Sequence, residues 1–392
     1  MLKNKVVYIH SEELISHCNK LPQLPNRASI VQDLINSYEL LTHDNLVVVQ
    51  CEKATEEQLK SFHSTDYIDF LKSLNCDDVE LFEIVEKHEE YGLGYDCPLV
   101  ENIYDFVQTV AGSSVAAARL LAAKKCEIVI NWFGGWHHAQ RASAEGFCYV
   151  NDIVIAIQIL SKAFDRILYL DLDIHHGNGV ENAFQCSKKI LTLSFHKCSP
   201  GFYPGTGSLN EVGLGKGKYY SINVPLKEGV SDETYLAAFN AIFPIVLDSF
   251  KPSLIVVQCG ADGLNGDPIG QCNLTIKSLG RCVDTVLKSQ LPALFLGGGG
   301  YNFANTARLW TYLTALIIGK DIDPDVPDRS EYFSIYGPTF ELQIEKGQRR
   351  DCNDEKYLSN VVGAIGDYCG FISKHMSSKF PRIVNSKLTK PP

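Results

Sequence analysis

The chain has little that would carry it into a membrane, out of a reducing compartment or onto a nucleic acid. No apolar run among its 392 residues approaches the roughly 20 needed to span a bilayer. The opening residues, Met1 to His10, lack the apolar stretch of a signal peptide. Thirteen cysteines are scattered, odd in number and without a C-x-x-C pair, which excludes a disulfide scaffold and favours a reducing compartment. Basic residues form no dense cluster, and 36 Lys and Arg against 46 Asp and Glu leave a net charge of −10. A nucleic-acid binder needs basic surface to neutralise phosphates, so none is expected as a partner, whereas basic partners are attracted. We expect a soluble protein of the nucleus and cytoplasm that engages no membrane.

Linkers, repeats and low-complexity blocks are missing too. One domain over residues 1–392 is therefore expected, with a core at about 6–344 and a tail at 345–392. Apolar residues at 45% against 21% charged suit a globular chain with a sizeable core. Short β-branched runs alternate with longer helical patterns. Strands are expected at 6–9, 127–132, 167–173, 190–195, 219–224, 254–259 and 293–296. Helices are expected at 28–41, 103–123, 151–164, 233–250, 275–289 and 304–319. Near-continuous apolar strands separated by helices predict an α/β fold with a mostly parallel central sheet covered on both faces. Ligands of such sheets bind beyond the carboxyl ends of the strands.

Several of those ends carry reactive side chains. Four of the eleven histidines fall in Gly134-Gly135-Trp136-His137-His138 and Asp171-Leu172-Asp173-Ile174-His175-His176-Gly177. On a strand, residues i and i+2 project from one side, so Asp173 and His175 are expected to converge. Asp262, at the end of the stretch 254–262, adds a second carboxylate, unless it merely caps the next helix. Two carboxylates and one imidazole leave a position open for water, the mark of a catalytic zinc site; the same donors accept Fe²⁺.

His137 and His138 suit general acid–base work, with Asp171 and Asn178 as partners for their far nitrogens. A lone His-His would more often be a satisfied structural pair, but this one adjoins Gly-Gly and a second such pair. Gly297 to Gly300 let backbone crowd a ligand, and Tyr301 offers a phenol to an oxyanion. The segment 213–218 has Tyr219 where a P-loop needs Ser or Thr, which excludes nucleotide binding there. Phe147, Phe202 and Tyr203 either wall a narrow apolar channel or pack as surface loops. The acidic stretch 77–90 reads as a solvated face.

These motifs together resemble the zinc-dependent histone deacetylases of the class I branch, which have an arginase-like α/β fold. The likeness runs from about Val6 to Ile344 and is densest in INWFGGWHHA (130–139), GFCYVND (146–152), LDLDIHHGNGV (170–180), SPGFYPGTG (199–207), QCGAD (258–262) and LGGGGYN (296–302). The resemblance implies a hydrolase that removes acetyl groups from lysines of histones and other proteins. It implies zinc on Asp173, His175 and Asp262, His137 and His138 as the acid–base pair, and Tyr301 as the electrophilic residue. By the same carry-over, Asp96 holds the substrate backbone and the Gly146 carbonyl takes the acetyl-lysine N–H. Phe147 and Tyr203 flank the stem, with Ile269 nearby. Arg27, Gly134, Gly135 and Trp136 line an inner acetate channel. Structural potassium is implied at Asp171, Asp173, His175, Ser194 and Phe195, and at a second site around Phe184, Ser187, Ile190 and Tyr220.

The chain also departs from the family. Asn178 stands where the class I branch usually has Asp, which predicts a shifted pH profile. Phe133 is large where the family is usually small and is expected to narrow the inner channel. Gln140, Ala142 and Glu145 alter a loop usually read as AKKxEASGF. Nothing in the sequence indicates dependence on a corepressor. Two other readings share the core residues: an acetylpolyamine or small-amide amidohydrolase, and a non-catalytic acyl-lysine-binding scaffold.

Overall fold

The computed structural model describes residues 5–74 and 88–377, so most of the acidic stretch 77–90 lies outside the described residues. Among the described residues, eight short runs form strands: β1 (Val6–His10), β2 (Leu46–Gln50), β3 (Ile128–Asn131), β4 (Ile167–Asp171), β5 (Ile190–Lys197), β6 (Ser221–Leu226), β7 (Leu254–Gln258) and β8 (Ala293–Leu296). They make one sheet in the order β2-β1-β3-β8-β7-β4-β5-β6, with every neighbouring pair parallel.

The inner runs, such as β4 and β7, are almost continuously apolar because both faces are covered. In β4, Leu168 and Leu170 enter one core while Ile167 and Tyr169 enter the other. In β7, Ile255 and Val257 oppose Leu254 and Val256 in the same way. Among the described residues, eleven α-helices supply the covering: α1 (Glu12–Asn19), α2 (Arg27–Ser37), α3 (Glu56–Lys60), α4 (Thr65–Ser73), α5 (Ile103–Ala122), α6 (Asp152–Leu160), α7 (Asn178–Phe184), α8 (Asp232–Phe250), α9 (Ile276–Lys288), α10 (Phe303–Ile318) and α11 (Glu355–Ser377). Side chains of Ser11, Ser64, Asn151, Ser231 and Asn302 accept backbone N–H groups in the first turns they precede, fixing where those helices begin. No helix among the described residues is long and apolar enough to cross a membrane.

Three differences from the sequence reading matter. β4 stops at Asp171, so Asp173 and His175 lie in the following loop, and strand alternation is not what brings them together. α6 stops at Leu160, where Ser161 begins a run of turns through Ala163. The segment taken as a tail contains α11, which lies on α8 and buries Val361, Ile365, Cys369 and Ile372. The four strands β3, β8, β7 and β4 are adjacent at the middle of the sheet. Their carboxyl ends lead directly into the four motifs read from the sequence.

Candidate active site

The loop after β4 is wound by its own carboxylates. Asp171 Oδ1 accepts from Asp173 N–H at 3.1 Å, and Asp173 Oδ1 accepts from His175 N–H at 3.0 Å. From β7, Asp262 Oδ1 accepts from Ile174 N–H at 3.0 Å, so it clamps this loop and caps no helix. From β8, Gly299 N–H donates to Asp173 Oδ2 at 2.8 Å, as does Gln258 Nε2 at 2.8 Å. This backbone winding brings together Asp173, His175 and Asp262, whose donor atoms all lie within 4.8 Å of one another.

All three residues are buried. Burial pushes the Asp262 carboxyl up to about 7, with the Asp173 charge adding to it, and His175 Nδ1 lies 2.7 Å from Asp262 Oδ2. Two carboxylates held this close in a dry place call for compensating positive charge. The donor set fits a divalent metal with N/O preference.

The loop after β3 carries the histidine pair. Asp152, the first residue of α6, accepts from the N–H groups of Gly135 and Trp136 and from the Ser114 hydroxyl, which fixes this loop. Burial raises the Asp152 carboxyl, and these donors oppose the shift. His137 Nδ1 donates to Asp171 Oδ2 at 2.8 Å; His138 Nδ1 pairs with Asn178 Oδ1 at 2.8 Å. The two Nε2 atoms lie 3.0 Å apart. Burial opposes charge on both rings, but Asp171 and Asp173 outweigh it at His137 and lift it to about 9. At His138, burial and the neighbouring His137 and His175 hold it well below the ordinary value. The two rings are therefore pushed in opposite directions, His137 toward the charged form and His138 toward the neutral one.

Tyr301 is placed by Asp267, whose Oδ2 accepts from Tyr301 N–H at 2.7 Å, while Oδ1 accepts from Ile269 and Gly270. Burial and the Asp262 and Asp173 charges raise the phenol well above its usual value, so it stays an O–H donor.

An apolar-walled cavity of ≈ 190 Å³ opens above these groups, lined by Asp96, His138, Gly146, Phe147, His175, Tyr203, Ile269 and Tyr301. Each residue expected to touch substrate lines it. Phe202, by contrast, stacks on the His175 ring at 4.9 Å and 7°, behind the wall. Gly146 and Phe147 both have positive φ, 56° and 67°, a tight reversal that presents the Phe147 ring to Tyr301. Asp96 Oδ2 accepts from Gly146 N–H at 2.8 Å.

Beneath lies a smaller cavity of ≈ 30 Å³, lined among others by Arg27, Gly134, Gly135 and Trp136. That is room for very few waters. Arg27 donates to the carbonyls of Gly298 and Gly300. Phe133 packs into the apolar core and is absent from the lining, so its expected narrowing of this channel is not what the structure shows.

The oxygen donors Asp171 and Ser194 face each other in register on β4 and β5, with Phe195 next. Phe184, Ser187, Ile190 and Tyr220 gather where α7 meets the start of β5, with Ser187 Oγ accepting from Ile190 N–H at 3.3 Å. Sequence reasoning gave no role to Asp152, Asp267 or Gln258. Asp152 ends a motif quoted above, but the partners of all three are backbone groups or distant side chains that carry no local signal.

Comparison with known proteins agrees with this geometry. A family model described as the histone deacetylase domain matches residues 21–317. Histone deacetylase 8 of Xenopus tropicalis is 45% identical over 364 residues, covering 92% of this chain and 96% of that one. Histone deacetylase 8 of Danio rerio is 44% identical over 360 residues, covering 92% and 94%. Histone deacetylase 1 of Homo sapiens is 42% identical over 340 residues, covering 87% and 69%. The chain belongs to the histone deacetylase family, in its class I branch.

Proposed function

We propose that the chain is a metal-dependent lysine deacetylase hydrolysing N6-acetyl-lysine of histones and other proteins. The observation that carries this reading is a buried Asp-His-Asp trio, a hydrogen-bonded histidine pair and Tyr301, gathered at one narrow apolar cavity that His138, His175 and Tyr301 line. Asp173, His175 and Asp262 are the residues that would hold the metal, which when bound supplies Lewis-acid polarisation of the acetyl carbonyl and of water. Zinc suits the donors best, and Fe²⁺ is the alternative.

The chain's own groups do the rest. His138 is neutral, and its Nε2 lone pair takes a proton from the attacking water. His137, charged against Asp171, stabilises the negative charge that develops. Tyr301 donates its O–H to the tetrahedral oxyanion. His138 then returns the proton to the departing lysine amine, so acid and base are one residue at two moments. Phe147 and Tyr203 wall a neutral acyl-lysine stem with Ile269 beside them, Asp96 takes substrate backbone N–H groups, and the Gly146 carbonyl takes the acetamide N–H. Arg27, Gly134, Gly135 and Trp136 line the exit for acetate.

Potassium on the oxygen donors of Asp171, Asp173, His175, Ser194 and Phe195, and near Phe184, Ser187, Ile190 and Tyr220, belongs to the same reading. So does action in nucleus and cytoplasm. No observation favours the small-amide or scaffold readings. The test is turnover of an acetyl-lysine peptide by metal-free protein reloaded with Zn²⁺ or Fe²⁺, beside acetylated polyamine as competing substrate. Metal-dependent release of acetate from the peptide is expected; release from the polyamine alone overturns the reading.

A further inference from the structure

The two histidines are supported unequally. His137 leans on a carboxylate, Asp171, while His138 leans on the neutral amide of Asn178. One bond further out the missing carboxylate reappears: Asn178 Nδ2 donates to Glu145 Oε1 at 2.6 Å. The same oxygen accepts from the Tyr203 hydroxyl at 3.1 Å, and the Tyr203 ring stands edge-on to His138 at 5.0 Å and 83°. Glu145 itself is held on both sides, its N–H donating to the Cys148 carbonyl at 3.0 Å and its carbonyl accepting from Cys148 N–H at 2.9 Å.

An amide can face either way, so something must decide that Asn178 shows His138 its oxygen. Two neighbours decide it. A carboxylate at 145 only accepts, so the amide must turn its NH₂ there. Gly179 N–H, at 3.0 Å from Asn178 Oδ1, needs an acceptor on the other side. With the oxygen so fixed, His138 must carry its hydrogen on Nδ1, leaving the Nε2 lone pair facing His137 Nε2 at 3.0 Å and the cavity.

We propose that Glu145 is a positioning residue: through Asn178 it fixes the tautomer of His138, and through the Tyr203 hydroxyl it ties that tautomer to the cavity wall. The inference rests on the reading of His138 as proton acceptor. It also predicts that positions 145 and 178 tolerate a carboxylate singly and not together. Asn178→Asp would set a second carboxylate oxygen where Nδ2 now lies, against Glu145.

The test uses metal-loaded full-length protein in four forms: wild type, Glu145→Ala, Asn178→Asp and the double variant, with Glu145→Gln as the conservative change. Two readouts are taken, kcat on an acetyl-lysine peptide and the His138 tautomer by ¹⁵N-histidine NMR. Glu145→Ala and Asn178→Asp are each expected to lower kcat about tenfold, the scale of losing one such outer partner. The double variant is expected to recover to within about threefold of wild type, because the carboxylate brought in by Asn178→Asp then accepts directly from His138 with no second carboxylate against it. Glu145→Gln keeps an acceptor for Asn178 and is expected to retain most of kcat.

In the spectra, wild type is expected to show His138 protonated on Nδ1 alone, and Glu145→Ala a mixture with the Nε2–H form. An unchanged tautomer in Glu145→Ala, or single losses that simply multiply in the double variant, overturns the proposal. If the tautomer shifts but wild type does not release acetate from the peptide, the positioning role stands and the deacetylase reading falls.

Discussion

At the scale of the residue, the useful property of Tyr301 is that it keeps its proton. Burial beside two carboxylates raises the phenol well above its usual value, which favours the O–H form. Tyr301→Phe removes that donor and little else; kcat is expected to fall about 10²- to 10³-fold with the melting temperature unchanged. His63 makes a prediction of a different kind. Its Nε2 accepts from Asn151 N–H at 3.0 Å, and burial lowers its pKa from 6.5 to about 4. The unfolded chain therefore binds a proton first as pH falls. The stability this neutral ring contributes is complete above pH 6.5 and is lost between 6.5 and about 4, by about 3 kcal/mol in all. Denaturant midpoints at several pH values are expected to fall more steeply below 6.5 for wild type than for His63→Asn. Equal slopes sink the idea.

The metal donors, the histidine pair and Tyr301 were legible in the sequence because each sits in a short motif at a strand end. Glu145 was visible only as an oddity, since its meaning is a contact with Asn178 across 33 positions.

Among the elements, strand ends do the positioning, and the loops between them have no slack. A Cβ built on Gly299 would meet Asp262 Oδ2 at 2.2 Å and Asp173 Oδ2 at 3.0 Å. Gly299→Ala is therefore expected to displace both carboxylates and weaken metal binding about 10- to 100-fold. Competition with a chromophoric chelator measures this, and unchanged affinity contradicts the packing argument. Periodicity found six of the helices and nearly every strand, because their apolar patterns are set by the two cores, but it passed over α11, the longest helix, and took it as a tail. It missed β2, half-exposed at the sheet edge, and α7, which is seven residues long. It also gave the right convergence of Asp173 and His175 for the wrong reason, because hydrogen bonds from carboxylate to backbone, which have no period, shape that loop.

For the molecule as a whole, α11 fastens the end of the described chain to α8 and to β6, where Tyr357 O–H reaches the Pro225 carbonyl at 2.9 Å. Ile365 at its centre is fully buried, so Ile365→Ala is expected to lower unfolding free energy by about 2–5 kcal/mol while kcat stays the same. A denaturant melt and an activity assay on the same sample decide it. The net charge of −10 adds a long-range term. KM for a basic acetyl-lysine peptide is expected to rise as salt goes from about 0.05 to about 0.5 M, with a neutral peptide as control.

Because β3, β8, β7 and β4 are the inner neighbours of the sheet, the reacting groups hang from the strands whose amides are expected to exchange last with solvent. On heating, catalytic power and the slowest-exchanging protons should therefore vanish at one temperature, with no interval in which a folded but inert enzyme survives.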